Sequence, residues 1–225
     1  MKDILPALPE NPNSEKLFLP ERLHEIVLAA GSFWSAQSFF SRIPGVSVCT
    51  AGYANGRLKN ANFKLVDRGD TGFAFSVLVQ FDYYELSLSK LLTIFFSVID
   101  PLADGHQGND YGTQYRTGIY YLDPADVPII SSVYDEQRRR YSGRIATEFK
   151  KLENFIEAED EQQYFLETHE DAYRTIDFSL LAKIEEEFSE NSCKVPGAAT
   201  FFSDNTKSET EDKTENEAQR IPSKS

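Results

Sequence analysis

The stretch that most restricts the fold of this chain runs from residue 26 to residue 45. Ile26-Val27-Leu28-Ala29-Ala30 reads as a buried strand. After Gly31-Ser32, the residues Phe33, Ala36, Phe39, Phe40 and Ile43 recur at helical spacing, and Pro44-Gly45 ends the helix. Position 32 therefore falls at a strand-to-helix turn. Free N–H groups and the helix dipole there favour an anion, an oxyanion or a thiolate nucleophile. The residue present is serine, a preferred N-cap, and with no base near it in sequence the stretch alone favours a cap over a nucleophile.

The pattern continues with a strand over 46–53, a turn at Asn55-Gly56, a polar loop over 67–72 and a strand over 73–81 buried on both faces. Leu88, Leu91, Leu92, Phe95, Phe96 and Ile99 carry a helical stripe that stops at Asp100-Pro101. A long loop with Gly105, Gly108 and Gly112 follows, of the kind that often carries function. Further strands are expected over 114–121 and 146–155. Helices are expected from Asp123-Pro124 toward Arg140, over 160–168 and over 180–188. Strands and helices alternate up to about residue 168, which predicts a single sheet with helices packed on it.

The 225 residues, 40% hydrophobic, suffice for one ordinary core. Residues 1–20 read as an extended arm, 21–180 as the domain, 181–203 as a helical extension, and 204–225 as a disordered tail with almost nothing apolar. A net charge of -13 argues against nucleic acid or an anionic membrane as partner. No apolar run reaches the length of a membrane span and no signal peptide is expected. Sparse cysteines, Cys49 and Cys193, fit a reducing cytoplasm. His24, His106 and His169 lack metal-ligand spacing, so no metal site is expected.

Five segments together resemble the methionine sulfoxide reductase A family, the peptide-methionine (S)-S-oxide reductases. They are Gly31-Ser32-Phe33-Trp34-Ser35-Ala36-Gln37; Ile43-Pro44-Gly45-Val46 with Gly52-Tyr53-Ala54-Asn55-Gly56; Gly69-Asp70-Thr71-Gly72; the ten residues from Gln107 to Arg116; and Ala158-Glu159-Asp160 leading to Gln162-Gln163. The resemblance implies an α+β, ferredoxin-like two-layer fold with helices on the sheet. It also implies a reaction in which a cysteine attacks the sulfoxide sulfur and becomes a sulfenic acid. A carboxylic acid protonates the oxygen, and a second cysteine and thioredoxin then regenerate the thiol.

Carried over by resemblance, Ser32 stands at the position of the nucleophilic cysteine and Gln37 at that of the acid. Phe33 and Trp34 match methyl-pocket aromatics, Tyr53 and Tyr115 match oxygen-binding tyrosines, and Asp110 matches an acidic binding residue. The family's Thr-Gly-His-Ala-Glu meets Thr71-Gly72-Phe73-Ala74-Phe75, its Tyr-His-Gln-Gln meets Glu161-Gln162-Gln163-Tyr164, and a distal Tyr-Cys-His-Ile-Asp meets Tyr173-Arg174-Thr175-Ile176-Asp177. Without the resemblance, Phe33, Trp34 and Tyr115 read as packing residues, Asp110 as a turn residue and Cys49 as a small buried hydrophobe.

The resulting expectation is a cytoplasmic member of the family whose encoded site is disabled but still binds. Its ligands would be methionine-sulfoxide-containing peptides or free methionine sulfoxide, the sulfoxide more tightly than methionine. Gln37 would help as an amide donor. No cofactor would be bound, and thioredoxin would be the reductant if the protein were active. The alternatives are an active reductase using Cys49 or Cys193, and a non-catalytic binding module.

Overall fold

The computed structural model describes residues 6–169 and 171–192; Cys193 and the expected tail lie outside them. In chain order the strands are β1 (Leu23–Ala30), β2 (Val46–Ala54), β3 (Ala74–Asp82), β4 (His106–Gln107), β5 (Asp110–Tyr111), β6 (Thr117–Tyr121), β7 (Glu148–Lys151) and β8 (Phe155–Glu157). The helices are α1 (Phe33–Phe40), α2 (Phe63–Val66), α3 (Leu88–Val98), α4 (Val127–Arg140), α5 (Phe165–Thr168) and α6 (Leu180–Ser192). Six strands form one sheet in the order β7-β6-β1-β3-β2-β8, with only the β6–β7 pair parallel. The run β1-α1-β2-β3-α3-β6, with spatial order β6-β1-β3-β2, is the ferredoxin-like arrangement of an α+β protein.

Strand parity assigns the faces. Ile26, Leu28 and Ala30 of β1, with Phe75, Val77, Val79 and Phe81 of β3, point to the main core, where α1 and α3 bury Phe39, Phe40, Leu91, Leu92 and Phe95. The opposite face carries Val27, Ala29, Ala54, Ala74 and Tyr120, against which Leu78, Leu152 and Phe155 pack.

Three expectations change. The strand expected over 114–121 begins only at Thr117. Thr113–Tyr115 is a 3-10 turn, closed by the Tyr115 N–H donating to Gly112 O at 2.9 Å. The strand expected over 146–155 is two strands on opposite edges of the sheet. Between them the Leu152 N–H donates to Tyr121 O, and the Asn55 N–H to Asn154 O. So short a link can join two edges only because the sheet curls, and the small side chains at Ala29, Ala54 and Ala74 leave room on its concave face. The helix expected over 160–168 is a 3-10 turn (Asp160–Gln162) followed by α5. The two are separated by Tyr164 in the left-handed conformation, φ 51°.

The N-terminal arm is not simply extended. Asn13 is 8% exposed; its amide donates to Ser41 O and Ile43 O at 3.0 and 2.8 Å and accepts from the Gly45 N–H at 3.1 Å. It thereby closes the chain just past the end of α1. Asn13→Ala takes this partner from Ser41 O and the Gly45 N–H, while Ile43 O keeps the Val46 N–H, and is expected to cost about 2–3 kcal/mol, read as a lowered urea midpoint. An unchanged midpoint would mean the arm does not dock.

Candidate active site

β1 passes into α1 through Gly31, whose φ of 84° suits glycine and where a Cβ would stand 2.6 Å from Gln107 Cβ. Ser32 is the N-cap residue of α1, with φ -65° and ψ 120°, yet its side chain makes no capping bond. It is 7% exposed, and no histidine or carboxylate among the described residues hydrogen-bonds its hydroxyl.

Around this turn the aromatic side chains gather. Phe33, 2% exposed, lies 4.8 Å from Phe75, 5.8 Å from Tyr53 and 5.9 Å from Trp34, centroid to centroid. Trp34 is held by its indole N–H, which donates to Gln162 Oε1 at 3.1 Å. Phe165 stacks on it at 4.1 Å and Phe63 at 5.3 Å, and Phe63 in turn stacks on Phe75 at 5.6 Å. Phe75 is the hub, also 5.1 Å from Tyr115 and 6.0 Å from Tyr53.

The polar groups are mostly committed within the chain. The Tyr53 hydroxyl donates to Glu159 Oε2 at 2.6 Å, and Glu159 Oε1 accepts from the Phe63 N–H at 2.9 Å. Burial, and then the bond to Glu159, push the Tyr53 hydroxyl pKa up. Burial also raises Glu159, but the bonds from Tyr53 and the backbone more than offset it and hold the carboxyl below its usual value. The Tyr115 hydroxyl faces Asp67 Oδ1 at 3.4 Å; burial and the charges of Asp67 and Asp110 raise its pKa. Asp110 sits in the β4–β5 hairpin, its pKa raised by burial and by the charge of Asp67.

Gln37 departs from the expected role. It is fully buried, and both amide hydrogens are engaged, by Cys49 O at 2.9 Å and Gln163 Oε1 at 2.7 Å. Its Oε1 accepts from the Tyr164 N–H at 2.6 Å. Gln163 is itself fixed by Ala51 and by Ala158 O. Gln37 is thus an internal link between α1, β2 and the segment before α5, with no donor left for a ligand. Cys49 on β2 is 1% exposed, and burial drives its thiol pKa far up. No group of histidine, cysteine or carboxylate side chains among the described residues is arranged to hold a metal. No helix among them is long and apolar enough to cross a membrane.

The family model for peptide methionine sulfoxide reductase matches residues 24–192. The chain belongs to the peptide methionine sulfoxide reductase family. The peptide methionine sulfoxide reductase MsrA of Clostridium perfringens is 43% identical over 151 residues, 67% of this chain and 96% of its own length. That of Clostridium acetobutylicum is 37% identical over 161 residues, 72% of this chain and 99% of its own. Among solved structures, Mxr1 from Saccharomyces cerevisiae in reduced form matches with a TM-score of 0.66 at 29% identity, covering 72% of this chain and 94% of that one. Methionine sulfoxide reductase A of Corynebacterium diphtheriae matches at 0.62 and 28%, covering 75% and 87%.

Within this reductase-family chain, the structure brings Phe33, Trp34, Tyr53 and Tyr115 into one cluster through Phe75 and Phe63. Asp110 joins it through the shared Asp67–Tyr115 neighbourhood. Gln37 bonds into the segment before α5 instead. Of the two linking members, Phe63 was not singled out from sequence, whereas Phe75 was marked as a departure from the family pattern, to line the pocket or fill space. Phe75 had a signal, because it ends the segment where the family's Thr-Gly-His-Ala-Glu has its carboxylate. Phe63 had none, since a lone phenylalanine after a polar run reads as packing.

Proposed function

We propose that this member of the family no longer reduces sulfoxides and keeps an aromatic site for a methionine-type side chain. The observation that carries this reading is the Phe75 ring at the centre of the cluster, combined with a serine hydroxyl at position 32. On this reading the acid is missing at position 75, whose side chain touches the pocket aromatics, rather than at position 37. The chemistry agrees. A thiolate takes the sulfoxide oxygen as a sulfenic acid. A serine hydroxyl doing the same would have to form an O–O bond, and a phenylalanine has no proton to give. Turnover through Cys49 is opposed by the burial of its thiol.

Binding differs from the sequence expectation in one respect. Tyr53 and Tyr115 direct their hydroxyls at Glu159 and Asp67, so a sulfoxide oxygen must displace those contacts to gain a donor. Sulfoxide and thioether are therefore expected to bind within a few-fold of each other, with Kd on the order of millimolar. The test is a thioredoxin-coupled assay on a methionine-(S)-sulfoxide peptide, paired with an NMR titration of the indole of Trp34, the single tryptophan. No turnover above background and a saturable indole shift are expected. Turnover abolished by Cys49→Ser or Cys193→Ser would overturn the silent reading. An indole that stays unshifted to tens of millimolar ligand would overturn the binding one.

A further inference from the structure

A separate cleft of about 570 Å³ is lined by none of the aromatic side chains of the cluster. Its lining residues neighbour the site along the chain: Arg116 follows Tyr115, Gly72 lies three residues before Phe75, and Asn55 two residues after Tyr53. Its charged lining is Arg57, Arg116 and Lys150 against Asp70 and Glu148. That is a surplus of positive charge on a chain whose net charge is -13.

The cations differ in how far they are engaged. Arg116 is locked, with Nε donating to Glu148 Oε2 at 3.0 Å, Nη1 to Thr113 O at 2.9 Å and Nη2 to Gly72 O at 3.0 Å. Lys150 donates to the other Glu148 oxygen at 2.6 Å. Burial raises the Glu148 pKa, but Lys150, Tyr120 and Arg116 outweigh it, so Glu148 stays a carboxylate. Arg57 is exposed and makes no side-chain hydrogen bond or ion pair among the described residues. Its side chain lies along Gly72, with Cγ 3.2 Å and Nε 3.3 Å from where a Cβ would stand. Two guanidinium groups thus meet at Gly72, one on its α-carbon side and one on its carbonyl, and only one of them has its anion.

We propose that this cleft binds a carboxylate of a peptide, so that the ligand of this protein is an acidic segment flanking the methionine-type residue. The proposal extends the reading of the aromatic site, but the anion site stands without it. The carboxylate is that of another protein, because the single methionine of this chain is Met1; the chain's own run containing Glu209, Glu211, Glu215 and Glu217 can act only as a competitor for the cleft.

The test uses the full chain and three fluorescein-labelled, end-blocked peptides that differ only in their central residues: methionine flanked by glutamates, methionine flanked by lysines, and alanine flanked by glutamates. The overall field of an acidic protein favours the lysine peptide. Roughly tenfold tighter binding of the glutamate–methionine peptide at low salt, a preference that shrinks as salt is raised, supports the cleft. Arg57→Ala should remove most of that preference without moving the melting temperature, and Arg57→Lys should keep part of it. Equal binding of acidic and basic peptides, or a preference indifferent to Arg57→Ala, overturns the proposal. If the glutamate–alanine peptide matches the glutamate–methionine one, the cleft stands and the methionine reading of the aromatic site falls. Changing Glu209, Glu211, Glu215 and Glu217 to Gln tests that competition. Tighter peptide binding in that variant supports a cleft that the chain's own run also enters, and unchanged binding supports an external occupant alone.

Discussion

Ser32→Cys combined with Phe75→Glu is expected to reduce a methionine-(S)-sulfoxide substrate about 10²–10⁴-fold faster than Ser32→Cys alone, the range typical of a positioned general acid. The single variant places a thiol at the N-terminus of α1, where the helix dipole lowers its pKa. It then has a nucleophile and no acid, and should yield at most about one methionine per protein unless a small dithiol is added. A carboxyl at position 75 would stand among Phe33, Phe63, Tyr53 and Tyr115, with Asp67 and Asp110 beyond Tyr115. Desolvation and like charge raise its pKa toward neutrality, which keeps it protonated for the task. Removing a buried phenylalanine costs about 3–5 kcal/mol, so rates must be expressed per folded protein. Phe75→Gln is the control, equally polar but without the proton. Adding Gln37→Glu to Ser32→Cys should change the rate little, because that side chain is tied to Cys49 O, Gln163 and Tyr164. Full activity from Ser32→Cys alone, or a gain from Gln37→Glu and not from Phe75→Glu, would place the defect elsewhere.

The contrast between positions 37 and 75 shows where sequence reading stopped. Strands β1, β2 and β3 were legible because apolar, β-branched runs have few other fates. Helix α3 was legible because its stripe has one period and a proline stop. What the pattern could not carry was direction. Gln37 lies on the helix that begins at the site, but only the packing of α5 and β2 against α1 turns its amide into a structural link. Phe75 stood out as a departure from the family pattern, but the sequence left open whether it lines the pocket or fills space. Its place among the pocket rings follows from the β2–β3 register, which sets it opposite Tyr53, and from the packing of α1 against β3. The split of the 146–155 stretch was equally hidden, because it depends on the curl that brings Tyr121 and Asn55 within reach of one short link. Asn13 gave no local signal at all, since the carbonyls it satisfies lie about thirty residues away.

Arg42→Ala is expected to cost about 3 kcal/mol at neutral pH, at the low end for breaking a buried ion pair because Glu167 is one-third exposed. Arg42 is 7% exposed and holds three parts of the molecule together. Its Nε donates to Pro9 O of the arm at 2.6 Å. Nη1 donates to Ser38 O at 2.7 Å and Glu167 Oε1 at 2.9 Å, and Nη2 to Glu167 Oε2 at 2.8 Å. The loss should depend on pH in a defined direction. Burial raises the Glu167 pKa, but Arg42 and Ser38 more than offset this and hold it below the usual value. A carboxyl with a lowered folded pKa contributes stability above its unfolded value of about 4.3 and loses it as pH falls through the folded one. The wild type should therefore weaken below about pH 4, Glu148 and Glu159 acting in the same sense. In Arg42→Ala the largest cause of the lowering is gone, Ser38 and the charge of Arg174 remaining, so Glu167 protonates at higher pH and ceases to be a poorly paired charge. The gap between the two proteins should then narrow by roughly 1 kcal/mol or more between pH 7 and pH 3.5, read from urea midpoints. A gap of the same size at both values would show that Arg42 acts through packing and its bonds to Pro9 and Ser38, and that its charge on Glu167 contributes nothing.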